Sequence, residues 1–357
     1  MISDEEYWVW GRRRSFFTDH IYRISVPPLN EHLGMELVYG GTGHPPFHLE
    51  LTDNLQKRLA KSIATEMRDK IPTSTENIGY LLLEEAQHTM QRRVNDNLKF
   101  LYGITIDDVN RGFFEVDGKR VDIKQQKILD DATDIVLQKG NNDNLKPVYK
   151  SRGVLMGIDP EFGFSAYHLN YDKAILAFVS GGFEAIGTGK YASGIALGQF
   201  LNTRNLRQRR TGIDPVEGVY VLFQSALLAS ESFCEIGGYF SMVMLSQPDL
   251  KKLPVYSVIQ GDAAKLASEI VQASRLEQLQ RTASLDLLER LIFAGEPVEN
   301  VEEALLQAAR SRKVLEWRLS GFKADVDHLA GKSEAPPTHA TPDRGRKQAP
   351  KRNRGVK

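Results

Sequence analysis

The chain has a single cysteine, Cys234, among its 357 residues. That excludes an internal disulfide framework and fits a reducing compartment. Long apolar runs are missing as well, since none approaches the ~18–20 residues that a membrane helix needs. The opening segment, MISDEEYWVWGRRRSFF, is acidic and then basic, with no signal-peptide core. These absences point to the cytoplasm and to no membrane partner. Histidines are scarce too: His44, His48, His88 and His168 are scattered, and no pair with metal-ligand spacing has a third ligand nearby. Cys234 sits at the buried end of a helix without an adjacent histidine, so it reads as an inert core thiol. Neither a metal nor a cofactor is expected.

Nucleotide-binding loops are excluded on spacing. Gly187-Thr188-Gly189-Lys190 invites a phosphate-loop reading, but that pattern needs a glycine where Glu184 stands and Ser or Thr where Tyr191 stands. A dinucleotide fingerprint would need a third glycine at Ala192. The corner is structural.

The net charge of zero hides an uneven distribution. From Gly331 to Lys357 there are eight Lys/Arg and two Asp/Glu, with almost no apolar residues. Such a tail cannot offset its ordering entropy by burial, so residues 331–357 are expected to be disordered. The tail is either a solvated terminus or a basic arm for an acidic partner or nucleic acid. The Arg204–Arg210 run is a second basic candidate, for a neighbouring subunit or an acidic ligand.

What is present is a layered pattern of strands and helices. Short apolar runs at Tyr7–Trp10, Ile21–Val26 and Met35–Tyr39 read as strands. Leu49 to about Lys70 and Ile78 to about Leu101 carry apolar residues at helical period, broken at Ile71-Pro72. Phe113–Ile123 reads as a hairpin turning at Asp117-Gly118. Val154–Gly194 reads as two strands joined by a turn, a third strand, and a Gly-Thr-Gly corner opening a helix from Lys190 to about Asn205. Asp214-Pro215-Val216-Glu217 has helix-start chemistry, with Asp as N-cap and Pro at the first helical position. Tyr239–Leu245 is a buried strand. Beyond Pro254 the pattern is helical only, through Ala263–Phe293 and Val298–Leu319, which suggests an appendage or an assembly element.

Five features stand in one order. Asp4 follows a short strand, and sixteen residues later HIYRIS begins at His20. A strand ending in Gly40-Gly41-Thr42-Gly43 leads into the two long helices. The Gly187-Thr188-Gly189 corner opens the next helix, and Gly237-Gly238 opens a late strand. In this order the chain, from Met1 to about Gln247, resembles the proteasome-type β subunits, including the bacterial two-component protease, within the N-terminal-nucleophile hydrolases. The resemblance implies an α+β fold, a four-layer α-β-β-α sandwich spanning residues 1–250 with an insertion at 103–152. A C-terminal helical extension (255–330) and the basic tail (331–357) would follow. It also implies a homo-oligomeric ring and a peptide substrate.

The implied chemistry is peptide hydrolysis by an N-terminal threonine, with its own α-amine as base. A lysine beside the hydroxyl, an aspartate that orients the lysine and a glycine N–H for the oxyanion complete the site. Carried over, Asp4 matches the orienting aspartate, Gly40 the oxyanion glycine and Thr188 a corner serine that helps to hold the N-terminus. His20 stands where the lysine belongs, and Phe233 and Ile236 stand where an aspartate and a serine belong. A neutral imidazole depresses a nearby hydroxyl's pKa less than an ammonium does. The family's nucleophile lies about sixteen residues before the orienting aspartate, and no counterpart precedes Asp4 in this sequence. The resemblance therefore implies a non-catalytic proteasome-like subunit. The alternative is an active threonine-type peptidase whose nucleophile strand lies upstream.

Overall fold

The computed structural model describes residues 1–4, 7–9, 12–15, 20–24, 26, 30, 34–65, 72–136, 151–159, 162–180, 182–204, 212–233, 236, 240–246 and 256–316. Cys234, Gly237-Gly238, the Gly140–Asn144 cluster, Arg207, Arg209, Arg210 and the basic tail lie outside them. Asp4 and Arg12–Arg14 are described for their backbone alone.

The first apolar runs form β1 (Ile2–Asp4), the hairpin of β2 (Tyr7–Val9) and β3 (Arg12–Ser15), then β4 (Ile21–Arg23) and β5 (Glu36–Thr42). Helix α1 (Pro45–Ala64) begins four residues before the apolar periodicity does, because two prolines occupy its first turn. Prolines suit that turn, whose N–H groups have no partner inside the helix. His44 caps it, its Nδ1 accepting from the Phe47 N–H at 3.2 Å. Helix α2 (Thr75–Tyr102) buries Ile78, Leu82, Ala86, Met90, Val94 and Leu98 along one stripe. Its first turn is held by the Ser74 side chain and by the buried Asp159, which accepts from the Thr75 N–H and hydroxyl.

Residues 103–136 build α3 (Ile106–Arg111), the hairpin β6 (Phe113–Val116) and β7 (Lys119–Asp122), and α4 (Gln126–Val136). Asp117 and Gly118 both take positive φ, 51° and 74°, as a tight hairpin turn demands. Ile104, Ala132 and Ile135 join the same buried cluster as α1 and α2.

Strands β8 (Arg152–Asp159), β9 (Gly163–Asn170) and β10 (Ile175–Phe178) complete a five-stranded antiparallel sheet in the order β10-β9-β8-β5-β4. Alternation sorts its two faces. Gly153, Leu155, Gly157 and Asp159 are buried, whereas Val154, Met156 and Ile158 are half-buried. Leu155 and Leu169 belong to the cluster under α1 and α2, so those helices cover one face and leave the other to line a cavity.

Helices α5 (Lys190–Thr203) and α6 (Pro215–Ser232) follow, then β11 (Phe240–Leu245), β12 (Tyr256–Ile259), α7 (Gly261–Arg275), α8 (Arg281–Leu288) and α9 (Val298–Ala308). Asp214 caps α6, its Oδ1 accepting from the N–H groups of Val216 and Glu217 at 2.9 and 3.3 Å. A second antiparallel sheet runs β1-β11-β12, with Ile2 opposite Met242 and Ser3 opposite Ser241.

Three details differ from the sequence pattern. Tyr256–Ile259 is a strand paired with β11; its Tyr, Val and Ile suit a strand, which the helical pattern beyond Pro254 hid. The helix expected over Ala263–Phe293 breaks after Arg275, where Glu277 takes positive φ and Leu279 turns into the core. A single π-helical turn, Glu289–Phe293, then ends α8. Helix α9 stops at Ala308 instead of reaching Leu319: Ala309 is extended and the Arg310 N–H bonds the Gln278 carbonyl at 2.8 Å. Met1–Arg310 form one compact unit, including α7, α8 and α9, whose faces are buried through Leu266, Ile270, Leu288, Val301 and Leu305. Ser311–Lys357 form a second unit, described over 311–316 as a single helical turn.

Candidate functional site

A cavity of about 780 Å³ opens on the free face of the five-stranded sheet. Its walls come from the start of β1, from His20 and Ile21, from the glycine-rich end of β5, and from Val154 and Met156 of β8. The Gly187-Thr188-Gly189 corner, Leu197 of α5, and Leu222 and Ala229 of α6 close the other side.

Three of the four residues singled out in the sequence line this one cavity: His20, Gly40 and Thr188. His20 is half-buried, and its carbonyl accepts from the Gly41 N–H at 2.9 Å, which fixes the start of β4 beside the end of β5. Gly40 is buried, and the Met1 thioether lies directly over it, where a side chain at residue 40 would stand. Thr188 is exposed at the cavity wall. Asp4 is described only through its backbone pairing with Phe240. Ile236 also lines the cavity, its Cδ1 against Gly189, whereas Phe233 closes the C-terminus of α6 through its N–H to the Ala229 carbonyl.

The corner owes its glycines to crowding. Gly187 has φ +91°, and a Cβ there would stand 2.9 Å from the Thr42 hydroxyl. A Cβ at Gly189 would meet the Ala229 Cβ at 2.9 Å and also strike Ile236. Small residues thus let the corner wedge between the end of β5 and α6, which brings Thr188 to the cavity.

Serines and threonines make up most of the polar lining, together with His20 and Glu184. Ser3 Oγ lies 3.4 Å from Ser241 Oγ across the β1–β11 pair. Glu184 reaches His168 Nδ1 at 3.2 Å. The Met1 α-amine donates to the Val243 carbonyl at 2.7 Å, and burial lowers its pKa to about 5. No Lys side chain is among the described lining residues.

Sequence reasoning missed the polar network beneath the β5 glycines. The Thr42 carbonyl can only accept, so His48 Nε2, 3.1 Å away, carries the proton and donates to it. Nδ1 is then an acceptor, and it takes the Tyr39 hydroxyl proton at 2.6 Å. The Tyr39 oxygen in turn accepts from the Tyr171 hydroxyl at 2.7 Å. Burial lowers the His48 pKa to about 3 and raises those of Tyr39 and Tyr171, so all three groups stay neutral. The bare Cα of Gly41 makes room for the imidazole, since a Cβ would stand 2.5 Å from the His48 ring. The one sequence signal was a histidine on the buried face of α1, among Phe47, Leu51 and Leu55. Tyr171, the partner of the Tyr39 hydroxyl, lies more than a hundred residues away and carries no mark of the pairing. Among the described residues no cluster of His, Cys, Asp or Glu could hold a metal ion, and no helix is long and apolar enough to cross a membrane.

No protein-family model and no curated protein matches the chain. Among solved structures it is similar to Anbu (ancestral beta-subunit) from Yersinia bercovieri, at TM-score 0.41 and 10% identity over 67% of this chain and 74% of that one. It is also similar to an Anbu (Gly-1) mutant from Hyphomicrobium sp. strain MC1, at TM-score 0.46 and 9% identity over 78% and 90% of the two chains.

Proposed function

We propose that the chain is a proteasome-like subunit of the N-terminal-nucleophile hydrolase type whose site does not cleave peptide bonds. The observation that carries this reading is the Met1 thioether over Gly40. In the chemistry that the sequence resemblance implies, a threonine hydroxyl occupies that place, next to the oxyanion glycine. A thioether cannot serve as the acyl-accepting nucleophile there, whatever residues precede it. His20 supports the same reading, because it stands at the wall where an ammonium would be needed to stabilise an alkoxide. Gly40 and Thr188 are the retained parts of that arrangement, in a four-layer sandwich; Asp4, only three residues after Met1, does not stand at the orienting aspartate's distance from the nucleophile's place. The role that remains is to bind or scaffold within a homo-oligomer, with peptide as the ligand class.

A second reading, an active threonine-type peptidase with an upstream nucleophile strand, would have to displace β1. Ile2–Asp4 already pair with β11, and Met1 at the head of that strand covers Gly40. Turnover of fluorogenic peptides by the protein expressed from its gene together with any in-frame sequence upstream of Met1 separates the two readings. The first predicts none above buffer, and the second predicts turnover that an electrophile directed at N-terminal threonine abolishes.

A further inference from the structure

Strand pairing sets Gly40, Val154 and His168 in one row across the five-stranded sheet. Paired residues share a face, so His168 stands on the cavity side with Val154. Neighbouring strands lie ~4.8 Å apart, which puts His168 about 10 Å from Gly40, away from the place that Met1 covers. His168 Nδ1 reaches Glu184 at 3.2 Å, on the segment that leads into the glycine corner. The carboxylate can only accept, so Nδ1 carries a proton. In the neutral ring Nε2 is then an acceptor, and this atom is buried without a partner. Glu184 bonds the imidazole through one oxygen and has no other partner among the described residues. Its side chain is 30% exposed, within reach of a molecule in the cavity.

Charge on the wall is one-sided. Among the described lining residues there is no Lys, Arg or Asp, and Glu184 is the one carboxylate. The Met1 α-amine donates to Val243, and burial lowers its pKa to about 5, so it is neutral near pH 7. Arg152, further along β8, is closed on Asp172 at 3.0 Å. The wall around the carboxylate is apolar: Val154 and Ala166 on the sheet, Val179 bonded to Ala166, and Ile186 two residues on. An anionic ligand finds no cation here. A neutral, apolar one strips water from Glu184 without replacing its hydrogen bonds.

We propose that this part of the cavity is a subsite for a primary ammonium carried on an apolar stem. The ammonium bonds Glu184 and brings donors to an end of the cavity that holds acceptors. The stem lies along Val154 and Ala166. A free alkylamine and the lysine side chain of a peptide share this chemistry. The inference deepens the reading of the cavity as a binding site that does not cleave, and rests on it.

Isothermal titration of the full chain tests the subsite, with hexylamine, hexanol and hexanoate as the small probes. The peptide pair is acetyl-Ala-Ala-Lys-Ala-amide and its norleucine counterpart, which lacks the ammonium. At least one cationic probe should bind ~10-fold or more tighter than its uncharged counterpart, as a hydrogen bond to a charged group implies. A preference in the amine series alone assigns the subsite to small amines, and one in the peptide pair assigns it to lysine. Glu184→Gln should abolish the preference, and Glu184→Lys should turn it towards hexanoate, with thermal melts checking that both variants fold. No preference for the cation in either series overturns the proposal, and so does a preference that survives both substitutions. Mass spectrometry of the peptides after titration reads cleavage separately. A cut peptide overturns the non-catalytic reading, whereas the dependence on Glu184 tests the subsite.

Discussion

Tyr39 and His48 share a 2.6 Å hydrogen bond from the phenol to Nδ1, buried under the Gly-Gly end of β5. The bond sets the imidazole so that its other nitrogen holds the Thr42 carbonyl at the cavity rim. Protonating His48 would replace an acceptor with a donor facing a hydroxyl, so the network exists only with the ring neutral.

That fixes a pH dependence. The folded-state pKa of His48, about 3, lies below the unfolded value near 6.5. Its contribution is therefore complete above pH ~6.5 and is lost as pH falls from there towards 3, at up to about 1.4 kcal/mol per pH unit. Urea unfolding at pH 7.5, 6.0 and 5.0 should show this fall, and His48→Gln should flatten it by close to one proton. An equally steep fall in the variant would show that His48 does not control it.

The direction of the chain of hydroxyls gives an asymmetry. Tyr39→Phe leaves His48 Nδ1 without its donor and should cost about 1–3 kcal/mol. Tyr171→Phe removes only the outer donor to Tyr39, and its cost should be smaller. Chemical denaturation of both variants, side by side, checks the order.

At the corner, Gly189→Ala should destabilise by about 1–3 kcal/mol, because its methyl meets Ala229 and Ile236 in a packed site. Gly187→Ala should cost about 1 kcal/mol or more through its positive φ alone. Thermal melts of the two variants measure both effects, and a neutral Gly189→Ala would contradict the wedge.

Asp214→Ala should cost about 1 kcal/mol, since it removes the acceptor for two N–H groups at the start of α6. Asp214→Asn, which keeps a side-chain oxygen, should recover most of the loss in the same melt.

Local chemistry was legible in the sequence wherever one segment carried it whole. Asp214-Pro215 announced α6, Asp117-Gly118 announced the hairpin turn, and the apolar stripe from Ile78 to Val94 announced α2. What depended on a distant partner was hidden. Helix α9 ends early because the Gln278 carbonyl captures the Arg310 N–H, 32 residues along the chain. The site divides in the same way. The family resemblance, carried over in chain order, picked out His20, Gly40 and Thr188, which the fold gathers on one cavity. The Tyr39–His48–Tyr171 network joins residues from separate parts of the chain, and no spacing rule links them.

The central claim concerns the place over Gly40. The most direct measurement is hydrolysis of a panel of fluorogenic peptides by the protein expressed from its gene together with any in-frame sequence upstream of Met1, with mass spectrometry of the protein after incubation with an electrophile that captures N-terminal threonine. The account predicts no turnover above buffer and no adduct. Sustained turnover that falls as an adduct forms at a threonine would contradict it.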